Sequence, residues 1–155
     1  MLREKRTQRA KEAEMSTSAI AHRFFDEVWS QGKLDLVDEL FAPGYVGHPS
    51  GPDETVRGPE GVKEYVGRLR AGVPDLDVTV EDQVADGDKI ATRWTARGTH
   101  DGELMGIDPT GRTATVTGIT IQRIGEGGQI VEGWTNWDML GMLQQLAVVP
   151  GPAAR

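Results

Sequence analysis

The sequence predicts one α+β domain in which helices cover one face of a curved, mainly antiparallel sheet. Apolar residues recur at helical spacing as far as Gly72, and long segments of alternating polarity separated by glycine turns follow. Helices first and strands afterwards is the order typical of α+β domains. The chain of 155 residues is close to the usual size of one domain, so no second domain is expected.

Three helices are predicted before the strands. The first spans residues 18–31 and is capped at its start by Thr17 or Ser18. The second spans residues 34–41, and the third spans residues 59–72. We expect the apolar side chains of these helices to pack onto the concave face of the sheet. They are Phe24, Phe25, Trp29, Leu36, Leu40, Val66 and Leu69.

The second half of the chain is predicted to hold long strands and a closing helix. The strands are residues 77–81, 89–99, 112–124 and 129–138, and the helix is 139–146. Gly98 and Gly118 interrupt two of the strands, and glycine tolerates the tight curvature of a sheet that bends round on itself. A bent sheet covered by three N-terminal helices forms a cone around an internal pocket.

Composition excludes several classes of partner. The net charge of −7 argues against a nucleic-acid-binding surface. No apolar run approaches the ~20 residues that a membrane span needs, and the basic amino terminus lacks the apolar stretch of a secretory signal. The chain has no cysteine, which excludes disulfides and thiolate zinc sites and fits a reducing compartment. We therefore predict a cytoplasmic protein without a nucleic-acid or membrane partner.

No metal or organic cofactor is predicted. The three histidines, His22, His48 and His100, lack the spacing that places two ligands on one element. The glycine-rich segments 102–111 and 125–128 match neither the phosphate loop nor the dinucleotide fingerprint.

The chain is predicted to divide into a leader, a domain and a tail. Residues 1–17 form a basic leader that we expect to be mobile, residues 18–149 the domain, and residues 150–155 the tail. The alternative for the leader is a basic amphipathic segment with a binding role, although Leu2 is its one apolar anchor.

The last predicted strand has a polar face. Successive side chains of a strand point to opposite faces, so one face carries Glu132, Trp134, Asn136 and Asp138. Buried carboxylates cost free energy unless they are hydrogen-bonded or catalytic. We expect this face to be inward, with Asp138 as the principal acid–base residue, Glu132 assisting it, and Trp134 and Asn136 binding the substrate. In the alternatives, this face meets solvent and Trp137 is core, or Asp138 caps the following helix.

The predicted strand 89–99 supplies a second catalytic candidate. Arg93 and Arg97 favour water, so Trp94 and His100, which share the opposite parity, are expected to point inward. We predict that Trp94 binds the substrate and that His100 assists catalysis. The alternative is that His100 is a buried structural histidine.

Tyr45 and His48 are predicted to bind the substrate where the chain enters the sheet. They lie three positions apart, so both cannot face inward on a regular strand unless Gly47 permits a kink. The alternative for His48 is a loop histidine that packs on Pro49.

Three segments resemble the SnoaL-like polyketide cyclases, a family with the nuclear-transport-factor-2 (NTF2) fold. The segments are Gly98–Arg112, Gly128–Trp134 and Asp138–Leu146, and the resemblance covers roughly residues 18–149. It implies an NTF2-like cone, catalysis without a cofactor, and homodimers or homotetramers built on the outer face of the sheet. One departure is Gly133, because many relatives have histidine or another polar residue at this position.

The resemblance also implies a reaction. The aspartate at the position of Asp138 acts as acid and base in an intramolecular aldol ring closure, and related members close oxygen rings by opening an epoxide with groups near His100 and Glu132. We therefore expect a cyclase that acts on a hydrophobic molecule of polyketide type. The alternatives are a non-catalytic carrier of a hydrophobic ligand and a proton-shuttling isomerase of the steroid-isomerase type. The isomerase is weakened because such sites use buried tyrosines, and this chain has two, Tyr45 and Tyr65.

Overall fold

The structure is a computed structural model, which describes residues 1–152. Helix α1, Leu2–Arg23, continues directly as a π-helical segment, Phe24–Ser30. The other helical elements are a 3-10 turn, Leu34–Leu36, and the helices α2, Val37–Leu40, α3, Gly58–Gly72, and α4, Met139–Gln145. None of the helices in the described residues is long and apolar enough to cross a membrane.

The first helix begins earlier than predicted. Thr17, predicted as a cap, lies inside α1 and donates its hydroxyl to the Ala13 carbonyl at 2.8 Å. Residues 1–13 are exposed, so the helical leader packs against little of the domain. Its mobility stays a prediction. Residues 153–155 of the predicted tail lie outside the described residues.

Six strands form one curved sheet. The strands are β1, Phe41–His48, β2, Val56–Arg57, β3, Asp77–Asp86, β4, Lys89–Thr99, β5, Thr113–Ile124, and β6, Ile130–Trp137. Their order in the sheet is β2-β1-β6-β5-β4-β3. β1 runs parallel to β6, and every other pairing is antiparallel. The predicted α+β cone with a mainly antiparallel sheet is confirmed, although β1 occupies the end of the second predicted helix and the residues after it.

The helices pack onto the concave face as predicted. Phe24 and Phe25 are buried in the main core, and the Phe24 ring meets the Phe41 ring edge to face at 4.9 Å. Burying a phenylalanine side chain stabilises the fold by roughly 1.5–3 kcal/mol. Leu69 belongs to a second, smaller cluster around Leu104 and Met142.

The glycine in β5 makes room for a large ring. A Cβ atom at Gly118 would overlap the indole of Trp94, which crosses the concave face from the neighbouring strand. Gly118 is therefore needed for close packing on the inner face of the sheet. The space left between this face and the helices is the cavity described next.

Candidate functional site

A cavity of about 170 Å³ lies between the helices and the concave face of the sheet. Its wall is mostly apolar and includes three of the four tryptophans, Trp29, Trp94 and Trp137. The described residues that line it include no aspartate, glutamate, lysine or arginine. Such a cavity fits a neutral, apolar small molecule.

The polar groups of the wall lie mostly on three neighbouring strands. Apart from the tryptophans, the polar side chains of the wall are Tyr45, His48, Tyr65, Thr120, Gln122 and Thr135. All but Tyr65 come from β1, β5 and β6, which are adjacent in the sheet. Tyr45, His48 and Trp94 therefore line the cavity as predicted, and the other polar residues were not predicted from the sequence.

The prediction that Glu132, Trp134 and Asn136 of β6 face the cavity is wrong. Gly133, Thr135 and Trp137 line the cavity, and Glu132, Trp134 and Asn136 lie on the opposite face. The neighbouring strands fix this choice, because Gly133 pairs with Gln122 of β5 and with Gly47 of β1, and all three face inward. Asn136 is exposed and Trp134 partly exposed, so neither contributes to the cavity wall.

Asp138 lies outside the cavity and caps α4. Its carboxylate accepts a hydrogen bond from the backbone N–H of Gly141 at 2.8 Å, and the residue is exposed. The cap satisfies a backbone donor that would otherwise lack a partner at the helix start. The predicted catalytic position of Asp138 is therefore corrected to a helix cap.

His100 is buried, but it does not line the cavity. Its side chain is 1% exposed, and its Nδ1 lies 3.1 Å from the Thr110 hydroxyl and 3.3 Å from the Thr110 backbone nitrogen. Because the backbone N–H can only donate, Nδ1 is the acceptor and Nε2 carries the proton of the neutral ring. His100 and Asp138 thus share no cavity, and general acid–base catalysis by this pair has no geometric basis.

His48 joins the cavity wall to a carboxylate on the outer face. Its Nε2 lies 2.9 Å from a Glu132 oxygen, and its ring stacks on Trp134 at 5.6 Å and 18°. The other oxygen of Glu132 accepts from Arg123 at 3.3 Å. Hydrogen bonds, first from His48 and then from Arg123, hold the pKa of Glu132 below its usual value. His48 stands at the end of β1, where the residue lines the cavity and its ring contacts Glu132.

Tyr45 occupies space that two glycines leave open. A Cβ atom at Gly47 would lie 2.7 Å from the Tyr45 hydroxyl oxygen, and one at Gly133 would lie 2.8 Å from it. Burial raises the pKa of Tyr45, and the charge of Glu132 and the nearby Tyr65 raise it further. The hydroxyl is therefore a neutral hydrogen-bond donor. This explains why the chain has Gly133 where many relatives have histidine or another polar residue, because a larger residue there would displace the tyrosine.

The second tyrosine lies at the same cavity. Burial and the charge of Asp53 raise the pKa of Tyr65 to about 12. Its hydroxyl donates to Asp53 at 3.4 Å. The small number of tyrosines was an argument against an isomerase, but both of them line the cavity.

A chain of hydrogen bonds crosses the inner face from β4 to β6. The Trp94 indole N–H donates to the Thr120 hydroxyl at 3.0 Å, and the Thr120 and Thr135 oxygens are 3.0 Å apart. Beside it, the Gln122 carbonyl oxygen is buried with no hydrogen-bond partner among the described residues. The sequence signal for these residues was a short stretch of β5, Ile119–Gln122, in which threonine and glutamine take the inner positions and two isoleucines the outer ones.

No metal site is found in the part of the chain that the structure describes. No three histidine, aspartate or glutamate side chains lie together in a way that could hold an ion.

The sequence profile described as SnoaL-like polyketide cyclase matches residues 19–146. IdmH, a proposed polyketide cyclase from Streptomyces antibioticus, is 37% identical, with a TM-score of 0.74 over 84% of this chain and 98% of that one. A proposed polyketide cyclase from Acidithiobacillus ferrooxidans is 32% identical, with a TM-score of 0.77 over 86% of this chain and 95% of that one.

A third solved structure resembles the chain but carries another proposed activity. AclR from Streptomyces galilaeus, a proposed hydroxylase, is 25% identical, with a TM-score of 0.78 over 90% of this chain and 86% of that one. No curated protein has a sequence that significantly matches the chain. Because similar folds carry different proposed reactions, the reaction has to be argued from the residues of the site.

Proposed function

Because the chain belongs to the SnoaL-like polyketide cyclase family, we propose that it closes a ring within an apolar, carbonyl-bearing molecule of polyketide type, by general acid–base catalysis without a cofactor. The observation that carries the proposal is the hydrogen-bonded pair of His48 and Glu132 at the wall of an apolar cavity. His48 is the one histidine among the described residues of the wall, and its ring is hydrogen-bonded to a carboxylate.

His48 has the arrangement of a general base. A carboxylate at hydrogen-bond distance orients the imidazole and stabilises the imidazolium that forms when the ring takes a proton. Stacking on Trp134 fixes the ring plane. Since Glu132 keeps a lowered pKa, it remains charged over the range in which histidine titrates. The pair therefore replaces Asp138 and His100 as the proposed acid–base machinery.

An aldol ring closure follows from this arrangement. His48 removes a proton from the carbon next to a carbonyl group, and that carbon attacks a second carbonyl carbon of the same molecule. A carbon–carbon bond forms, the second carbonyl becomes an alkoxide, and the imidazolium returns the proton to the alkoxide oxygen. The apolar wall holds the substrate in a folded conformation and excludes water. This brings the attacking carbon close to the second carbonyl carbon. The same base could activate a hydroxyl for ring closure by epoxide opening, in which the imidazolium returns the proton to the oxygen of the opened epoxide.

A proton-shuttling isomerase is a second candidate. The observation that favours it is that both tyrosines line the cavity, where the raised pKa of Tyr45 keeps its hydroxyl a neutral donor. An isomerase would use His48 to move a proton between two carbons without forming a bond between them. A non-catalytic carrier would need the apolar wall but would not need a paired base.

The test uses a diketone that can close a ring. The probe 1-phenylhexane-1,5-dione closes by aldol condensation to an aryl cyclohexenone, whose formation is followed by ultraviolet absorbance. We expect His48→Gln to lower the catalysed rate about 10²–10⁴-fold, because glutamine is polar but takes no proton at neutral pH. Glu132→Gln should lower it less, because the imidazole remains.

The matched control is Asp138→Asn, which should leave the rate unchanged because asparagine also caps helices. Deuterium exchange at the carbons next to the carbonyls separates the candidates. Exchange without ring closure supports the isomerase, and neither exchange nor closure supports the carrier. A His48→Gln variant with the full rate contradicts the proposed base.

A further inference from the structure

Three strands of the sheet end on the same side of the cavity. β6 runs parallel to β1, and β4 runs in the same direction because two antiparallel pairings, through β5, separate it from β6. The segment that follows each strand brings a residue to the cavity wall. These residues are Pro49 after β1, Met105 after β4 and Met142 after β6. The three segments therefore surround one end of the cavity.

Met105 stands where the cavity meets solvent. It is 38% exposed, whereas Met142 is 7% exposed and Pro49 is half-buried. Among the described residues of the wall, Met105 is the one that is exposed. A residue that both lines the cavity and is exposed to solvent lies at the mouth of the cavity.

The backbone of Met105 has a conformation that methionine rarely takes. Its φ is +53° and that of Gly106 is +75°. Around them, Leu104 and Ile107 exchange two backbone hydrogen bonds of 3.1 and 2.9 Å. This is a two-residue hairpin turn with positive φ at both central residues, for which asparagine, aspartate and glycine are strongly preferred. A left-handed backbone costs free energy for a long side chain, and such costs cluster at functional sites. The turn by itself therefore does not explain the methionine.

The base of this hairpin is held in place, which leaves the Met105 side chain to respond to a ligand. The backbone N–H groups of Asp101 and Gly102 donate to the Gly72 carbonyl at 3.2 and 3.0 Å. Leu104 is 4% exposed and is part of the second, smaller cluster of buried side chains. Methionine has three rotatable bonds and a polarizable thioether, so its side chain adapts to ligands of different shape.

We propose that the Met105 side chain closes the mouth of the cavity and that its rotation admits apolar ligands according to their width. The inference rests on the proposed function only in taking the cavity as the ligand site, and it does not involve the proton transfer at His48. The turn fixes the direction of the Cα–Cβ bond of Met105, so the backbone holds the thioether at the mouth. Narrow, flat molecules should pass faster than wide ones, which makes Met105 a residue that determines specificity.

The experiment measures passage and affinity separately. The probes are 1-naphthylamine and the wider N-phenyl-1-naphthylamine, which are uncharged at neutral pH and emit more strongly in an apolar site. Stopped-flow mixing gives the association and dissociation rate constants of each probe. We expect Met105→Gly to raise both constants of the wider probe at least about fivefold and to change its Kd less than about threefold, because a barrier common to entry and exit is lowered. The rate constants of the narrower probe should rise less.

The controls separate the side chain from the backbone strain. Met105→Leu keeps an apolar side chain of similar size and should keep both rate constants close to those of the unmodified protein. Ala147→Gly is the matched change, because Ala147, with a φ of +58°, is the other non-glycine residue with positive φ in the part of the chain that the structure describes. Ala147 does not line the cavity, so this variant should leave both constants unchanged. Urea denaturation should show no loss of stability in Met105→Gly, since glycine accepts positive φ without steric cost.

Several outcomes overturn the proposal: failure of the probes to bind, rate constants that Met105→Gly leaves unchanged, an equal increase in Ala147→Gly, or a weaker affinity with an unchanged association rate. The last result would make Met105 a contact of the wall and nothing more. None of these measurements requires turnover. If Met105→Gly speeds passage while His48→Gln keeps the full rate of ring closure, the proposed base is wrong and the role of Met105 stands. If ring closure depends on His48 but passage does not depend on Met105, the role of Met105 is wrong and the base stands.

Discussion

β4 and β5 are neighbours in the sheet, but over Ile119–Gln122 the two faces of β5 are filled in the opposite way to those of β4. On β4 the inner face holds buried Ile90 and Trp94, and the outer face holds the exposed Arg93 and Arg97. On β5 the inner face holds Thr120 and Gln122, which are 6% and 1% exposed, while the outer Ile119 and Ile121 are 50% and 40% exposed.

The difference separates the part of the sheet that builds the fold from the part that serves the cavity. The hydrophobic effect places the side chains of β4, as it does in most half-buried strands. Over Ile119–Gln122 of β5 that preference is reversed on both faces, and a reversal of this kind is expected where a protein gives up stability for function. The exposed isoleucines fit the predicted homodimer or homotetramer built on the outer face, which stays a prediction.

The largest effect on stability is expected on β4. Trp94→Ala removes the indole that covers Gly118 and lowers the free energy of unfolding by about 3–5 kcal/mol, because the surrounding side chains only partly fill the hole. Ile121→Ala on the outer face of β5 is the comparison and should cost well under half of this. Urea denaturation measures both. A comparable loss at Ile121 would break the contrast and show that another copy covers the outer face.

The next effect has the opposite sign. Gln122→Met should raise the free energy of unfolding of the ligand-free protein by about 1–3 kcal/mol, because it removes a buried amide oxygen that has no partner among the described residues. Thr92→Val is the matched change on the inner face of β4, where the hydroxyl accepts from Gln83 at 3.2 Å. It should lower the stability instead. A loss of stability in Gln122→Met would mean that the amide contributes to the fold.

A smaller effect is expected at the end of β6. Asp138→Ala removes the cap of α4 and should lower the free energy of unfolding by about 0.5–2 kcal/mol, whereas Asp138→Asn should change it little. Ring closure of the diketone should keep its rate in both variants. A large loss of rate with unchanged stability would restore Asp138 as a catalytic residue.

The smallest effect is expected far from both strands. A chain that begins at Met15 should keep its melting temperature within about 4 °C, because the side chains of residues 1–13 are exposed and bury little apolar area. Thr17 loses a hydrogen bond to Ala13, which can be replaced by water. A larger drop, measured by thermal unfolding, would show that the leader docks on the domain.

The sequence predicted the elements better than it predicted their faces. Strand β4 and the third helix agree with the prediction within one residue, because alternation, helical spacing and glycine turns are local signals. The side of β6 that faces the cavity is set by pairing with other strands and not by the sequence of β6 alone. Trp134 and Trp137 put one indole on each side of that strand, so hydropathy could not decide, and pairing with Gly47 and Gln122 decided instead.

The same reasoning explains the site residues. Glu132 was predicted as a catalytic group within the cavity, but it reaches the cavity through His48, which stands on another strand. Parity along one strand cannot reveal a contact between β1 and β6. Tyr45 and His48 were predicted to bind the substrate together only if Gly47 permits a kink, and both line the cavity at the end of β1.

The contact between Tyr45 and its two glycines limits the order in which this sequence can change. A side chain at position 47 or 133 requires the tyrosine side chain to move, since a single Cβ atom would already lie within 3 Å of its hydroxyl oxygen. A homologue with histidine at position 133 should therefore have a smaller residue at position 45. We therefore expect the residues at positions 45, 47 and 133 to change together during evolution, so that a homologue has either the tyrosine hydroxyl or the imidazole at this wall.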